Sequence, residues 1–249
     1  MQTRRFRRTL TAIIFGSATL LMLSFLTADP AWAQGCAQVP DGLVSWWPGE
    51  GDSSDLVGGN PGTLAGATTF ASGEVGQAFK FGGFQDAVTV GNPANLQLQS
   101  FTIEAWIARA ATIKATLDPL APNGVLFGYG LHGSALGLFD DGRLILTKVG
   151  VSFVDSGALR VTDLNFHHVA VTKSGSTVMF YVDGVAQMAP DYDPGFEFTT
   201  NAAIAASGDK LSVSFLGVID ELSIYDRAIT GAELQTIVDA GSFGKCQPG

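Results

Sequence analysis

Short runs of β-branched and aromatic residues, each closed by Gly, Asn, Asp or Ser, recur along almost the whole chain, and this rhythm restricts the fold more than any other feature. The runs are Leu43–Trp47, Gln77–Phe81, Ala87–Val90, Phe101–Ile107, Val125–Tyr129, Ala135–Phe139, Arg143–Lys148, His167–Lys173, Thr177–Val182, Leu211–Phe215 and Val218–Tyr225. Strands spaced about ten residues apart, with turn residues between them, make an antiparallel sandwich or barrel. Asp141-Gly142, Ser174-Gly175 and Asp183-Gly184 lie between such runs, and pairs of this kind tolerate the positive φ angles of tight hairpins. Residues 135–148 therefore read as one hairpin and 167–189 as a three-stranded meander. Within 101–107, Phe101, Ile103, Ala105 and Ile107 share one face and Thr102, Glu104 and Trp106 the other, because side chains alternate along a strand. One helix is expected over about 230–240. Thr230 and Glu233 form a capping box, Leu234, Ile237 and Val238 an apolar stripe, and Gly241 a stop.

The N-terminus has a different character. Arg4, Arg5, Arg7 and Arg8 precede an apolar stretch from Leu10 to Leu26, and Ala31-Trp32-Ala33 follows. That is the layout of a secretory signal peptide, with cleavage expected after Ala33 and a secreted, periplasmic or cell-surface product. The apolar stretch is at the lower limit for spanning a bilayer, and no later segment reaches it, so stable membrane insertion after signal removal is not expected. Removing residues 1–33 takes away four of the 14 Lys and Arg and one of the 23 Asp and Glu, leaving a formal charge of −12. Such a surface repels phosphate, which argues against nucleic acid as a partner. The remaining 216 residues suit one all-β domain, residues 34–249. Its only two cysteines, Cys36 and Cys246, are expected to pair in an oxidising compartment.

Several strings resemble a known family. Leu43-Val44-Ser45-Trp46-Trp47-Pro48-Gly49-Glu50-Gly51, then Asp55 and Gly58–Thr63, then Gly76–Gly83 are similar to the opening of a bacterial LamG-like domain of the concanavalin A-like lectin/glucanase superfamily. Phe101–Ile107, Phe166–Gly184 and Gly217–Leu234 resemble its later signatures in the same order. The resemblance implies a two-sheet antiparallel jelly roll with one short C-terminal helix, and a terminal cystine that seals the domain. It says little about the ligand, since this fold hosts many functions. There are two departures: Arg109–Asn123 is longer than a simple strand connection, and Ala87 stands where the family usually has an aromatic.

The catalytic branch of such a family needs paired carboxylates on one strand face, of the form Glu-x-Asp-x-x-Glu, and no such string occurs. Asp220 and Glu221 are adjacent and so should point to opposite faces. His132, His167 and His168 lack zinc-site spacing. A non-catalytic binding module is expected, with carbohydrate or an extracellular glycoconjugate as partner and Trp106 and Tyr181 as stacking residues. The alternative is a structural or adhesive envelope protein that makes protein contacts without recognising sugar. A structural calcium ion is also expected from the oxygen-rich segment Glu50–Asp55 together with Asp220. Asp220 and Asp55 are its first candidate ligands, Glu50 and Asn60 the next.

Overall fold

Fifteen strands and one α-helix occupy residues 35–247, the part of the chain that the computed structural model describes. The expected export signal and its cleavage site lie outside the described residues. In chain order the strands are β1 (Leu43–Trp47), β2 (Thr63–Ala65), β3 (Thr69–Ser72), β4 (Gln77–Gly82), β5 (Ala87–Gly91), β6 (Phe101–Arg109), β7 (Asn123–Tyr129) and β8 (Ser134–Phe139). They continue as β9 (Arg143–Lys148), β10 (Ser152–Arg160), β11 (His167–Ser174), β12 (Thr177–Val182), β13 (Val185–Met188), β14 (Ala202–Ile204) and β15 (Leu216–Tyr225), followed by helix α1 (Gly231–Ala240).

The strands make two antiparallel sheets. One runs β13-β12-β11-β6-β15-β4-β3, with β1 also on β15; the other runs β10-β9-β8-β7-β14-β5-β2. The core lies between them, and alternation decides which side chains enter it. Phe101, Ile103, Ala105 and Ile107 of β6 face Leu136, Leu138, Leu144 and Leu146 of β8 and β9 across one apolar cluster. Trp47, Phe79, Phe81, Phe180 and Phe215 are fully buried there. Each contributes roughly 1.5–3 kcal/mol by leaving water.

The hairpin over 135–148 and the meander over 167–189 form as the turn dipeptides imply. The expected strand Leu211–Phe215 does not. That segment is a loop with Leu211 at φ 50° and Val213 at φ 51°, touching β7 through a single bridge, Val125 to Ser214.

Helix α1 starts as its capping box requires. The Thr230 hydroxyl accepts from the Glu233 backbone N–H, and Glu233 accepts from the Thr230 N–H at 2.7 Å. Leu234, Ile237 and Ala240 then pack on Ala170, Tyr181 and Tyr225, on the outer side of the eight-stranded sheet. The chain ends join there. Ala37 and Lys245 form a parallel bridge, and Cys36 and Cys246 are disulfide-bonded with their Cα atoms 4.8 Å apart.

Candidate functional site

Trp106 and Tyr181 stand on the outer face of the eight-stranded sheet, and that face is covered. Trp106 is 7% exposed and Tyr181 6%. The Trp106 ring meets His168 edge-on at 5.3 Å, while Tyr181 packs beneath α1. Neither presents a flat face to a ligand, so the expectation that they stack on a sugar is corrected here. Alternation assigned Trp106 to the face opposite the core; it carried no information about what lies over that face.

The covering chain end also brings a cation into the sheet. Buried Lys245 donates to Glu104 Oε1 at 3.1 Å, lies 3.1 Å from Glu221 Oε2 and sits 5.0 Å over the Trp46 ring. His168 Nε2 lies 2.9 Å from Glu104 Oε2, and the Tyr225 hydroxyl donates to Glu104 Oε1 at 3.5 Å. Burial alone would raise the Glu104 carboxyl. The Lys245 charge and the His168 hydrogen bond override it and hold the group at about 2. Burial likewise works against the Lys245 ammonium, but Glu104 and Glu221 raise it above its ordinary value. A buried network of this kind fastens the chain end, with His168 Nδ1 and Trp46 Nε1 left without partners among the described residues.

The four expected calcium ligands are not gathered into one set. Asp55 is a turn former: Oδ1 accepts from the backbone N–H groups of Trp46, Val57 and Gly58, and Oδ2 from that of Asn60. The Asn60 side chain donates to the Ser45 hydroxyl at 2.7 Å. Asp220 differs. Its Oδ2 accepts from the Val75 N–H at 2.9 Å, and its buried Oδ1 has no partner among the described residues. Burial pushes its carboxyl up to about 8, and the nearby charges of Glu221 and Glu50 add to the rise. The expectation that Asp220 and Glu221 simply face opposite ways is also modified. β15 bulges between Asp220 and Ser223, with Glu221 at φ 57°, and both carboxylates end up buried. Among the described residues, no group of three or more His, Cys, Asp or Glu side chains is arranged to hold a metal.

The outer face of the seven-stranded sheet is built differently. Pairing aligns Gly128, Ala135, Thr147 and Phe153 in one row across β7 to β10, and Val125, Gly137, Ile145 and Asp155 in the next. The first row is a floor of small side chains. A Cβ at Gly128 would come within 2.5 Å of the Ala135 Cβ, so the floor is as low as the backbone allows. At one end it rises to Phe153, 54% exposed, in edge-to-face contact with Phe139 at 5.8 Å. The Arg143 guanidinium sits 4.9 Å from the Phe139 ring centre and bonds to Asp155 at 2.6 Å and Asp141 at 2.9 Å. Arg160 approaches Asp141 at 2.8 Å. Burial slightly opposes ionisation of Asp141, but hydrogen bonds from Arg143 and Arg160 lower its carboxyl. At the other end, Ala206 and Leu211 pack over Ala87 and Ala203 and form a wall. The result is a shallow trough with an aromatic end, an ion-paired flank and a loop wall, its floor residues Gly128 and Ala135 buried and Thr147 half-buried.

Sequence reading missed this site because β10 was not recognised as a strand. Ser152–Arg160 mixes Ser, Asp and Gly with few apolar residues, as an edge strand does. The usable signal was the alternation of Leu136 and Leu138 with Ala135, Gly137 and Phe139, which already set Phe139 on the outer face.

A family model described as the concanavalin A-like lectin/glucanases superfamily matches residues 81–235, well over half of the chain. The chain belongs to that superfamily. Sequence comparison with curated proteins finds no match. Among solved structures of similar fold is domain 4 of an extracellular arabinanase from Geobacillus stearothermophilus, in complex with arabinotriose: 20% identity, 80% of this chain, 98% of that one, TM-score 0.64. The binding domain of Paraclostridial Mosquitocidal Protein 1 is 14% identical at TM-score 0.61, covering 80% of this chain and 52% of that one. The binding domain of Botulinum Neurotoxin DC in complex with SialylT is 14% identical at TM-score 0.58, with the same coverage. The chain thus spans about half the length of the two toxin binding domains. At these identities the likeness to these solved structures is one of fold.

Proposed function

We propose that the protein is a non-catalytic carbohydrate-binding module whose ligand, an uncharged glycan, lies in the trough on the seven-stranded sheet. The observation that carries this reading is the exposed ring of Phe153, in contact with half-buried Phe139, at the end of the low row Gly128, Ala135 and Thr147. Sugars present apolar C–H faces and polar edges. An aromatic ring beside fixed polar groups matches both. Arg143, Arg160, Asp141 and Asp155 balance one another in charge and keep lone pairs and N–H groups free for hydroxyls. The named ligands of two of the similar structures, arabinotriose and SialylT, agree with a saccharide partner. The flanking carboxylates are both ion-paired with arginine, and that of Asp141 is lowered, the opposite of the raised acid that glycoside hydrolysis needs. A panel of neutral oligosaccharides on an array is the test. At least one should bind without being cleaved, and Phe153→Ala should weaken it about tenfold. Binding unchanged by that substitution, or sugar release by the purified protein, overturns the reading.

Asp220 and Glu50 are the residues proposed to hold a calcium ion, which would ionise Asp220 and occupy its unpartnered Oδ1. Calcium added to chelated protein should then raise the melting temperature, and Asp220→Ala should abolish the rise. Export is proposed from the signal-like N-terminus and agrees with the Cys36–Cys246 bridge. Sequencing the N-terminus of the exported product checks it, and Gln34 is the expected first residue.

A further inference from the structure

The loop wall of the trough contains a small cavity of its own, about 80 Å3, lined in part by Phe84, Gln85, Asp118, Lys210, Ser212 and Val213. Three connections build it: β4–β5, β6–β7 and β14–β15. They are tied to one another. Leu117 N–H and the Thr116 hydroxyl both donate to Gly83 O, at 2.9 and 3.3 Å, and Val213 N–H donates to Asp118 Oδ2 at 3.3 Å. Gln85, Leu211 and Val213 have φ of 56°, 50° and 51°. That region is costly for any residue with a Cβ and most of all for a β-branched one. Three such residues around one cavity mean that packing holds the loops in shape.

The size of the cavity limits what enters it. A water molecule occupies about 30 Å3 of liquid, and pockets for whole small molecules start at about 300 Å3, so this one takes a single substituent and not a ring. Its chemistry is mixed. The Lys210 ammonium makes no ion pair among the described residues, and Gln85 and Ser212 both donate and accept. The Asp118 oxygens each accept one backbone N–H, from Leu120 and Val213, and have lone pairs to spare. Phe84 lines the cavity and is 57% exposed. Donors, an acceptor and one apolar ring suit a hydroxyl-bearing arm of a sugar.

Position supplies the rest. Val125 of β7 donates to Val213 O at 2.9 Å on one edge of that strand, while Asn123 of β7 pairs with Phe139 on the other. Two strand spacings, roughly 10 Å, therefore separate the cavity wall from the aromatic pair, a gap that a short oligosaccharide bridges. A polymer lies along the trough at any point of its length, but the half-open pocket beside it is too small for a chain to run through and takes only a group that ends in it.

We propose that this cavity captures a hydroxylated substituent on the terminal residue of the glycan held in the trough, so that the protein recognises chain ends. The inference rests on the carbohydrate-binding reading and fails separately from it. The mature protein would be titrated with linear neutral oligosaccharides of three to six residues and with their parent polymers. Phe84→Ala and Lys210→Ala, both at exposed positions, should each weaken oligosaccharide binding about tenfold with unchanged melting temperatures. Saturation by the polymers should follow the molar concentration of chain ends, not the mass of polymer. If Phe153→Ala abolishes binding while both cavity variants bind as the wild type does, the trough stands and recognition of ends is overturned. Equal saturation per unit mass at every chain length also overturns it. No binding by any probe overturns both.

Discussion

The two outward faces of the sandwich come from the same alternation of side chains, yet they differ in almost every respect. The face of the eight-stranded sheet carries Glu104, Trp106, His168 and Tyr181 and is sealed by α1 and the two chain ends. The face of the seven-stranded sheet carries Gly128, Ala135, Thr147 and Phe153, of which Gly128 and Ala135 are buried, Thr147 is half-buried and Phe153 is exposed. The sealed face puts its large and charged residues to structural use, since buried charge needs nearby partners. The other face has small residues in the row that leads to Phe153. A large aromatic on an outward strand position is therefore no sign of a binding surface until its cover is known.

The sharpest break in this contrast should come from the sealed network. Glu104→Ala or Lys245→Ala strands the opposite charge in the sheet and should cost about 3–5 kcal/mol, read as a lower urea midpoint. Replacing Cys36 and Cys246 together by serine should cost about 2–5 kcal/mol, since the bridge closes a separation of 210 residues. A loss below about 1 kcal/mol in either case would mean that the cover is only loosely attached. At the trough, Phe153→Ala should change stability by under about 0.5 kcal/mol, as exposed positions do. A large loss of stability there would make Phe153 a structural residue and weaken its assignment to binding.

Acidity separates the faces in another way. Asp220 titrates at about 8 in the folded chain against an ordinary 3.8, so the folded state holds an extra proton between those values. The stabilisation from that proton is complete below about pH 4 and is lost as pH rises through 8. Glu104, depressed to about 2 from 4.5, behaves oppositely: its stabilisation is present above 4.5 and is lost as pH falls towards 2. Glu221 and His167 are both raised, Glu221 by its burial against the pull of Lys245, and His167, against its burial, by hydrogen bonds that it donates to Asp183 and Asp163. Each adds to the Asp220 trend. The melting temperature of chelated protein should fall from pH 5 to pH 8, and Asp220→Asn should flatten most of that slope. Calcium bound at Asp220 would flatten it too.

Much of the fold was legible in the sequence because it is set locally. The dipeptides at Asp141, Ser174 and Asp183 define hairpins on their own, and Thr230 with Glu233 marks the helix start to within a residue. What was not legible depends on distant chain. Val213 and Leu211 look like strand residues, but the β6–β7 loop, through Asp118, holds them in a left-handed conformation that propensity disfavours. Trp106 looked available because its burial depends on residues distant in sequence, among them His168, whose ring it meets edge-on. Asp55 looked like a metal ligand because composition does not reveal that four backbone N–H groups already occupy its carboxylate.

The bridge between Cys36 and Cys246 also gives the domain a handle. Both ends of the described chain leave from the side of the sealed sheet, a few ångströms apart, so anything attached to either end hangs from the same place. The trough is turned away from that point. Fixed to a surface through one end, the other end or both, the protein would present the same face outward.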